Sequence, residues 1–308
     1  MSAPGTNQKF GWIPFEDRTP EQTAEHNRIV AAMPRFHIRG RFKADQRRYP
    51  LWFAGKKLLG KFLPYNWQQT GSCVGAGGGN MAKTGIAVEI YIKGDLEEYK
   101  ELWWPFTYGC SRGNTSEGEG SSGSSWAECA TKDGFFEADL DGLPKFQERQ
   151  GWLVLSERVE YKWSTTRNID QKWRDLARQH LFKTAAPMRS ADDCAQALIN
   201  GFAITQASNF GFRSSKVRGT PPVRIAPWDG SWSHQTYLDE YWDHPTEGEI
   251  YRWGNNWGPD AHGAPTGDEP PGGVYITKAT LDSICRNGEV YAFSVFDGFP
   301  ARELSWLI

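Results

Sequence analysis

The chain has 308 residues, 39% of them hydrophobic, which suffices to bury the core of one large domain or of two lobes. Lys and Arg total 35 against 37 Asp and Glu, a net charge of -2, so no whole-chain field directs the protein to nucleic acid or to a membrane surface. No stretch approaches the roughly 20 apolar residues of a membrane span. The first residues lack the charged and apolar blocks of a signal peptide. We expect a globular protein located in the cytoplasm or within a virion, not secreted by a signal peptide.

The chain contains five cysteines: Cys73, Cys110, Cys129, Cys194 and Cys285. An odd number without a CxxC pair indicates neither a disulfide framework nor a zinc site. We therefore expect reduced thiols and predict no metal ion and no cofactor. The fifteen Trp residues are more typical of core packing than of carbohydrate binding.

Residues 1–60 are predicted to form an N-terminal extension. A short amphipathic helix is expected from about Thr19, which is followed by Pro20, a residue favoured at the first helical position. From Arg35 to Lys61, nine basic residues stand against one acid, Asp45, a local excess of +8. Such a run is usually a solvated face, and the alternatives are an acidic partner surface or nucleic acid. Docking of residues 1–60 on a neighbouring subunit of a large protein assembly is a further hypothesis.

Residues 61–185 are predicted to form a helical lobe. In QQTGSCVGAG, a tight turn at Gly71 and Ser72 presents Cys73 as the first residue of a helix, and the glycines that follow imply a close backbone contact or a bend. The segment GIAVEIYIKG fits either a continuation of this helix or a strand. Residues 113–125 are rich in Gly, Ser and Glu and predict an exposed loop. A helix is expected from Ser125 to about Gly134.

Residues 186–308 are predicted to form a sheet-rich lobe. It opens with a helix in ADDCAQALINGF and a strand in FAITQAS. The segments YLDEYW, EIYRW, GVYIT and VYAFSVF then read as strands separated by turns. A helical first half and a sheet-rich second half predict a two-lobed α+β protein.

A cysteine at a helix N-terminus is suited to nucleophilic catalysis. The partial positive charge of the helix end and a nearby imidazolium both favour the reactive thiolate. Unpaired backbone N–H groups at the same end can face a developing oxyanion. The alternative for Cys73 considered by itself is a small buried hydrophobic residue.

Three segments in order, GSC at Cys73, a strand-borne histidine at His234 and NxWG at Asn255, resemble the motifs of papain-like cysteine peptidases. The segments TYGCSRG, SSWAECATKDGFF and GGVYIT are also similar to parts of that family, and the resemblance covers roughly residues 64–295. It implies a papain-like two-lobed fold. It further implies that Cys73 is the nucleophile, His234 its base and Asn255 the residue that orients the imidazole, while Trp257 shields the pair from water.

The chain departs from the family at three positions near the nucleophile. The oxyanion glutamine of the family stands six residues before the cysteine, where this chain has Trp67, so Gln68 is assigned that role and Gln69 is the neighbouring alternative. Val74 replaces the tryptophan that usually follows the nucleophile. Thr70 stands where the family has a cysteine, so the resemblance leaves Cys110 without a disulfide partner.

The expected function is hydrolysis of peptide or related amide bonds in a peptide or protein substrate. One alternative is a structural protein of a virion or another assembly, active or inactive, with a bacteriophage setting suggested by analogy alone. Another is a cell-wall amidase, since the triad chemistry is the same for each amide. GAGGGN lacks the preceding strand and the acidic residue of a dinucleotide loop. His244 lies in a turn-like segment, and His26, His37, His180 and His262 have no motif around them.

Overall fold

The computed structural model describes residues 10–40, 46–93, 98–113, 119–165 and 169–302. The helices are α1 (Pro20–Ala32), α2 (Trp52–Leu59), α3 (Cys73–Lys93), α4 (Trp104–Arg112), α5 (Gly123–Lys132), α6 (Glu157–Trp163), α7 (Gln171–Ala177), α8 (Ala191–Ile199) and α9 (Lys278–Asn287). The strands are β1 (Ile38–Arg39), β2 (Arg48–Pro50), β3 (Asn66–Trp67), β4 (Gln147–Arg149), β5 (Trp152–Val154), β6 (Thr184–Pro187), β7 (Ile204–Gly211), β8 (Lys216–Arg218), β9 (Val223–Ile225), β10 (Gly230–His244), β11 (Gly248–Gly254), β12 (Gly273–Thr277), β13 (Glu289–Ser294) and β14 (Phe299–Pro300). Among the helices described, none is both long and apolar enough to cross a membrane.

The predicted α+β class is confirmed, with helices concentrated in the first half and one large sheet in the second. Nine strands form this sheet, in the order β6-β13-β7-β10-β11-β12-β9-β8, and β2 also pairs with β10. The pairs β10–β11, β10–β7 and β11–β12 are antiparallel. Consecutive strands pair as hairpins at β8–β9 and β10–β11, whereas β7 and β10 are not consecutive in the chain.

Helix α3 packs on strand β10 and against helices α2 and α4. Its glycines permit this: a Cβ at Gly77 would lie 2.7 Å from the Gln235 carbonyl oxygen, and one at Gly78 would lie 2.1 Å from the Trp126 ring. The close backbone contact predicted from the Gly-rich run is confirmed. The ambiguous segment GIAVEIYIKG continues α3 as far as Lys93, because a helix buried along most of its length tolerates β-branched residues when its packing favours them.

The chain around α1 and α5 agrees with the sequence in one place and differs from it in the other. The helix expected from Thr19 is confirmed as α1, with a capping box between Thr19 and Gln22. The exposed loop expected over 113–125 is wrong in part: residues 114–118 lie outside the described residues, but Ser121 is buried and α5 already begins at Gly123. Segments rich in glycine and serine are usually expected to be exposed to solvent, yet small residues also fit where two chain segments meet closely.

The described residues of the N-terminal extension pack against the rest of the same chain. Helix α1 packs on α5, β1 pairs with β14, and β2 is a strand of the large sheet. Several cations of the basic run are paired internally: Arg47 with Asp243, and Arg48 with Glu240 and Asp268. Acids distant in sequence thus offset part of the described basic excess.

A buried ion pair links the two central strands. Asp239 lies at a register shift of β10 and accepts two hydrogen bonds from Arg252 on β11, at 2.8 and 2.7 Å. Both side chains are at most 1% exposed, and Arg252 also donates to the Pro270 carbonyl. Burial raises the pKa of Asp239 to about 6 despite the neighbouring guanidinium. Removing either charge would leave the other uncompensated in the core.

We predict that Asp239→Asn lowers the free energy of unfolding by about 3–5 kcal/mol, because it leaves the buried Arg252 charge without a counterion. The matched control is Asp243→Asn on the same strand, whose pair with Arg47 is exposed and should cost about 1 kcal/mol or less. Urea denaturation of both variants at pH 7 measures the difference. Equal losses in the two variants would contradict this account of the core.

Candidate active site

Cys73 is the first residue of α3, and its thiol is fully buried. The first turn of the helix is closed by the Ala76 N–H, which donates to the Ser72 carbonyl. The backbone N–H of Gln235, on β10, points to the sulfur at 3.4 Å. Because α3 can approach β10 so closely, the helix N-terminus meets the strand beside His234.

The turn before Cys73 is held by Glu160, a fully buried carboxylate on α6. It accepts hydrogen bonds from the Gln69 N–H, from the N–H and hydroxyl of Thr70 and from the Ser72 hydroxyl, at 2.7–3.0 Å. Burial raises the pKa of Glu160 to about 7, and the hydrogen bonds from Thr70, Ser72 and Gln69 oppose this only in part. The sequence offered no signal for this role, because Glu160 lies about 90 residues away in an ordinary amphipathic helix.

His234 and Asn255 are hydrogen-bonded side by side at the ends of β10 and β11. The His234 Nε2 lies 2.7 Å from the Asn255 Oδ1, and this oxygen also accepts from the Asn256 N–H. A bulge in the β7–β10 pairing falls between Ser231 and His234, and bulges of this kind re-aim side chains. With Nε2 donating, Nδ1 is the acceptor; it is buried and has no hydrogen-bond partner among the described residues.

A second histidine supports Asn255 from its other side. The Asn255 amide nitrogen lies 2.7 Å from the His262 Nε2 and donates to it. Burial lowers the pKa of His262 to about 3, with smaller effects from His234 and Arg224, so the ring is neutral and can accept this bond. Sequence reasoning favoured a surface or satisfied-core role for His262, since nothing in its Gly/Pro-rich segment placed it near Asn255.

Trp257 covers the imidazole. Its ring stacks on His234 with centroids 4.4 Å apart and an interplanar angle of 27°. Trp232 packs edge-on against Trp257 at 5.1 Å. Together these rings keep solvent from the His234–Asn255 hydrogen bond, which strengthens it in a low-dielectric setting.

Gln68 lies next to this cluster but is already engaged. Its amide nitrogen donates to the Thr70 carbonyl at 2.9 Å, and its oxygen accepts from the Asn256 side chain. The Asn256 amide also reaches the Cys73 carbonyl at 3.4 Å. Gln68 is thus connected to the first turn of α3 through Asn256. Gln69 donates to the Trp67 and Gln68 carbonyls instead.

The cleft above Cys73 is filled by the N-terminal segment of the same chain, residues 10–13. The N–H groups of Gly11 and Trp12 donate to the Ser233 carbonyl at 3.3 and 3.2 Å. On the opposite wall, the Gly11 carbonyl accepts from the Ser121 N–H and the Ile13 N–H donates to the Ser121 carbonyl, at 2.8 and 3.0 Å. An extended backbone is therefore bound from both sides by β-type hydrogen bonds, directly over the thiol.

Glu289, on β13, anchors this segment. Its buried carboxylate accepts from the Trp12 indole N–H at 2.6 Å and from the Arg18 guanidinium, and it also accepts the Gly123 and Ser124 N–H groups at the start of α5. Burial by itself would raise the pKa of Glu289, but hydrogen bonding from His26 and Trp12 and the charge of Arg18 outweigh it and lower the pKa to about 2. The anchor is thus fully ionised at neutral pH.

Enclosure keeps both candidate catalytic groups neutral. Burial raises the pKa of Cys73 to about 12, opposed in part by backbone hydrogen bonds from Gln235, Gly11, Val74 and Trp12. Burial lowers the pKa of His234 to about 4, opposed by the bond to Asn255. A thiol and a neutral imidazole are therefore the forms present at neutral pH, in place of a thiolate–imidazolium pair.

His244 makes no hydrogen bond to this cluster among the described residues. It ends β10, is buried, and has its Nε2 2.9 Å from the Pro221 carbonyl, while its Nδ1 accepts from the Thr246 and Glu247 N–H groups. These bonds stabilise the β10–β11 turn.

Comparison with solved structures finds cysteine proteases that cover most of the chain. Xylellain, a cysteine protease from Xylella fastidiosa, aligns with a TM-score of 0.52 and 12% identity over 96% of this chain and 94% of that chain. Procathepsin B S9 from Trypanosoma congolense gives 0.54 and 10% over 85% and 82%. Digestive procathepsin L 3 from the larval midgut of Tenebrio molitor gives 0.51 and 10% over 89% and 79%. The chain has a papain-like fold.

The expected papain-like two-lobed architecture is thereby confirmed, and identities of this size establish the fold alone. A scan against protein-family models and a search of curated proteins find no significant match to the sequence. In this papain-like chain, Cys73 begins α3 on the helical side and His234 lies on β10 of the sheet, where the adjacent Gln235 N–H is 3.4 Å from the Cys73 sulfur. Within the described residues, no hydrogen bond joins the His234 Nδ1 to the thiol.

We predict that Gly11→Ala opens the cleft, because a Cβ there would lie 1.8 Å from the Gly71 carbonyl oxygen. Once the segment is displaced, the Cys73 pKa should fall toward the range of cysteines at helix N-termini, and its alkylation by iodoacetamide at pH 7 should accelerate by about two orders of magnitude. Peptide mapping by mass spectrometry identifies the labelled thiol. Gly85→Ala is the control, since its Cβ meets only ordinary contacts from 3.6 Å. Unchanged labelling of Gly11→Ala would contradict a displaceable cover over Cys73.

The Glu289 anchor predicts a specific loss of stability in acid. Its pKa is about 2 when folded against a reference of 4.5, so the unfolded chain binds the proton first and stability falls as pH drops from about 4.5 to 2. The loss amounts to about 3 kcal/mol. Glu289→Gln should lack this component of the pH dependence of unfolding, whereas Glu16→Gln, at an exposed carboxylate three residues after that segment, should keep it. Parallel pH curves for wild type and Glu289→Gln would contradict the assignment.

Proposed function

We propose that the protein is a papain-like cysteine peptidase with Cys73 as nucleophile, His234 as general base and Asn255 as the residue that orients the imidazole. One observation carries the proposal: the cleft over Cys73 holds an extended polypeptide backbone by main-chain hydrogen bonds from Ser121 and Ser233. A groove that binds backbone in this way suits a peptide, because peptide N–H and C=O groups supply the matching partners.

The geometry supports the following sequence of steps. His234 Nδ1, the nitrogen opposite Asn255, takes the proton from the Cys73 thiol as the sulfur attacks the peptide carbonyl carbon. The resulting oxyanion is stabilised by backbone N–H groups at the start of α3, with Gln68 and Asn256 close to that turn. The imidazolium then donates its proton to the leaving amine. Water, activated by the neutral imidazole, hydrolyses the thioester and restores the thiol.

Glu160 and His262 act through their neighbours in this proposal. Glu160 fixes the turn that presents Cys73, and His262 fixes the amide of Asn255 so that its oxygen faces His234. Both are positioning residues, since neither is placed against the reacting atoms. Their buried hydrogen bonds cost no reorganisation during the reaction, which is the advantage of a preorganised site.

The intact chain is proposed to be latent. Residues 10–13 occupy the position of a substrate, and the neutral thiol beneath them is 0% exposed. Activity then requires that this segment leave the cleft. Each contact that holds it, including the ionised Glu289 anchor, opposes activation.

A structural role in a virion or another assembly is the second candidate, and the enclosed thiol is the observation that favours it. In that case the segment over Cys73 would be a permanent part of the fold. Cell-wall amide hydrolysis is less well supported, because the groove recognises a regular backbone on both of its walls. The two candidates differ in what happens when the cleft is opened.

The deciding experiment measures hydrolysis of a fluorogenic peptide library by the Gly11→Ala chain, with Gly85→Ala as the control. If the protein is an active peptidase, the Gly11→Ala chain should cleave peptides of the library. Adding His234→Ala should reduce the rate by about 10²- to 10⁴-fold, the usual contribution of a general base. Adding Cys73→Ser should abolish it, while adding Cys285→Ser should not. If the opened chain labels rapidly at Cys73 yet cleaves no peptide, the peptidase proposal fails and another acyl substrate is indicated. If labelling and cleavage both stay at the Gly85→Ala level, the structural role is favoured.

A further inference from the structure

A second cluster of reactive side chains lies outside the cleft, on helices α4 and α5. The thiols of Cys110 and Cys129 and a carboxylate oxygen of Asp133 all lie within 4.8 Å of one another. Cys129 and Asp133 are four residues apart at the end of α5, so they share one face of that helix. Helix α4 packs against α5 and brings Cys110 to the same point.

These three groups border a cavity of about 690 Å³. Cys129 is buried, while Cys110 and Asp133 are half-buried, so the cluster is open on the side of the cavity. An ion could enter from that side, and a water molecule could complete its coordination there. Two thiolates and a carboxylate with one open position form a donor set that Zn²⁺ accepts in tetrahedral geometry.

The charges around the cluster are compatible with a bound dication. Two thiolates and one carboxylate carry three negative charges, so one Zn²⁺ leaves a single negative charge. The guanidinium of Arg174, on α7, donates to the Cys110 sulfur at 3.8 Å and can offset it. N–H groups that hydrogen-bond to ligand sulfur are typical outer partners of metal sites. Other cations lining the cavity are paired elsewhere: Lys132 with Glu128, and Arg178 with Asp175.

Without a cation, the cluster is electrostatically unfavourable for ionised thiols. A metal ion reverses this effect, because it binds the deprotonated form and releases protons.

We propose that Cys110, Cys129 and Asp133 bind one Zn²⁺ ion, with a fourth ligand from solvent on the cavity side. Zn–S bonds of about 2.3 Å require the three ligand atoms to draw somewhat closer together. The site is independent of the proposed peptidase activity. The absence of a CxxC spacing does not argue against it, since the ligands come from two helices and are brought together only by their packing.

An alternative is that any two thiols lying close together would bind zinc. A second pair of cysteines in the chain serves as the control for it. Cys194 on α8 and Cys285 on α9 have their sulfurs 3.8 Å apart. Within the described ranges, no third ligand atom groups with this pair as Asp133 does with Cys110 and Cys129. Removing Cys285 should therefore leave zinc binding unchanged.

The test uses the full chain carrying Cys73→Ser, so that the cleft thiol cannot contribute, reduced and stripped of metal with a chelator. Zn²⁺ is titrated against a chromophoric chelator, and Co²⁺ serves as a spectroscopic probe. One equivalent should bind, and the Co²⁺ form should show sulfur-to-metal charge transfer and the intense visible bands of tetrahedral coordination. Cys129→Ser should weaken binding by about 100-fold or more, and Asp133→Asn should weaken it by about 10- to 100-fold. Cys285→Ser should bind as the parent does.

Circular dichroism and thermal unfolding without metal show whether each variant is folded. If Cys129→Ser does not fold, the Co²⁺ spectrum of the parent and the Asp133→Asn titration decide the question. The proposal is overturned if the parent binds no zinc, if Cys285→Ser loses binding to the same extent as Cys129→Ser, or if the reduced Co²⁺ form lacks sulfur charge transfer. A Cys110–Cys129 disulfide that forms in air and is the sole modification of a chain that binds no metal would identify the pair as a redox couple instead.

Discussion

Helix α3 approaches strand β10 more closely than residues with side chains would allow, because Gly77 presents no Cβ to the Gln235 carbonyl. This contact brings the N-terminus of the helix to the strand that carries His234, and the Gln235 N–H then reaches the Cys73 sulfur. The helical half and the sheet-rich half meet along this line. The cleft, its two walls and the position of the thiol all follow from it.

Buried carboxylates stabilise the loops around that contact. Glu160 binds the turn before Cys73, Glu289 binds the N-terminal segment and the start of α5, and Asp239 joins β10 to β11 through Arg252. Each is enclosed among donors that would otherwise be unsatisfied in the interior. Their environments differ, however: Glu289 has cationic partners and a lowered pKa, whereas Glu160 is surrounded by neutral donors and has a raised one. The cost of burying charge is therefore offset to different degrees at the three sites.

The chain's own N-terminal segment links stability to access. The hydrogen bonds that hold residues 10–13 over Cys73 also exclude water from His234, and this exclusion keeps thiol and imidazole neutral. The same contacts thus contribute to folding and oppose nucleophilic chemistry. Under the proposed peptidase function, this segment and a peptide substrate would compete for the same cleft.

Residues within short local motifs were identifiable from the sequence: Cys73 after a tight turn, His234 within a strand, and Asn255 and Trp257 after a strand that ends in glycine. Their local structure is set by neighbours a few positions away, so residue type and order were enough to predict it. Tertiary structure alone decided the roles of Glu160, His262 and Glu289, and it alone placed Gly11 and Trp12 over the thiol. From the sequence, carboxylates and short polar segments are expected at the surface. Their burial depends on partners that lie about 90 to 280 residues away. Those partners are chosen by packing, which no local pattern encodes.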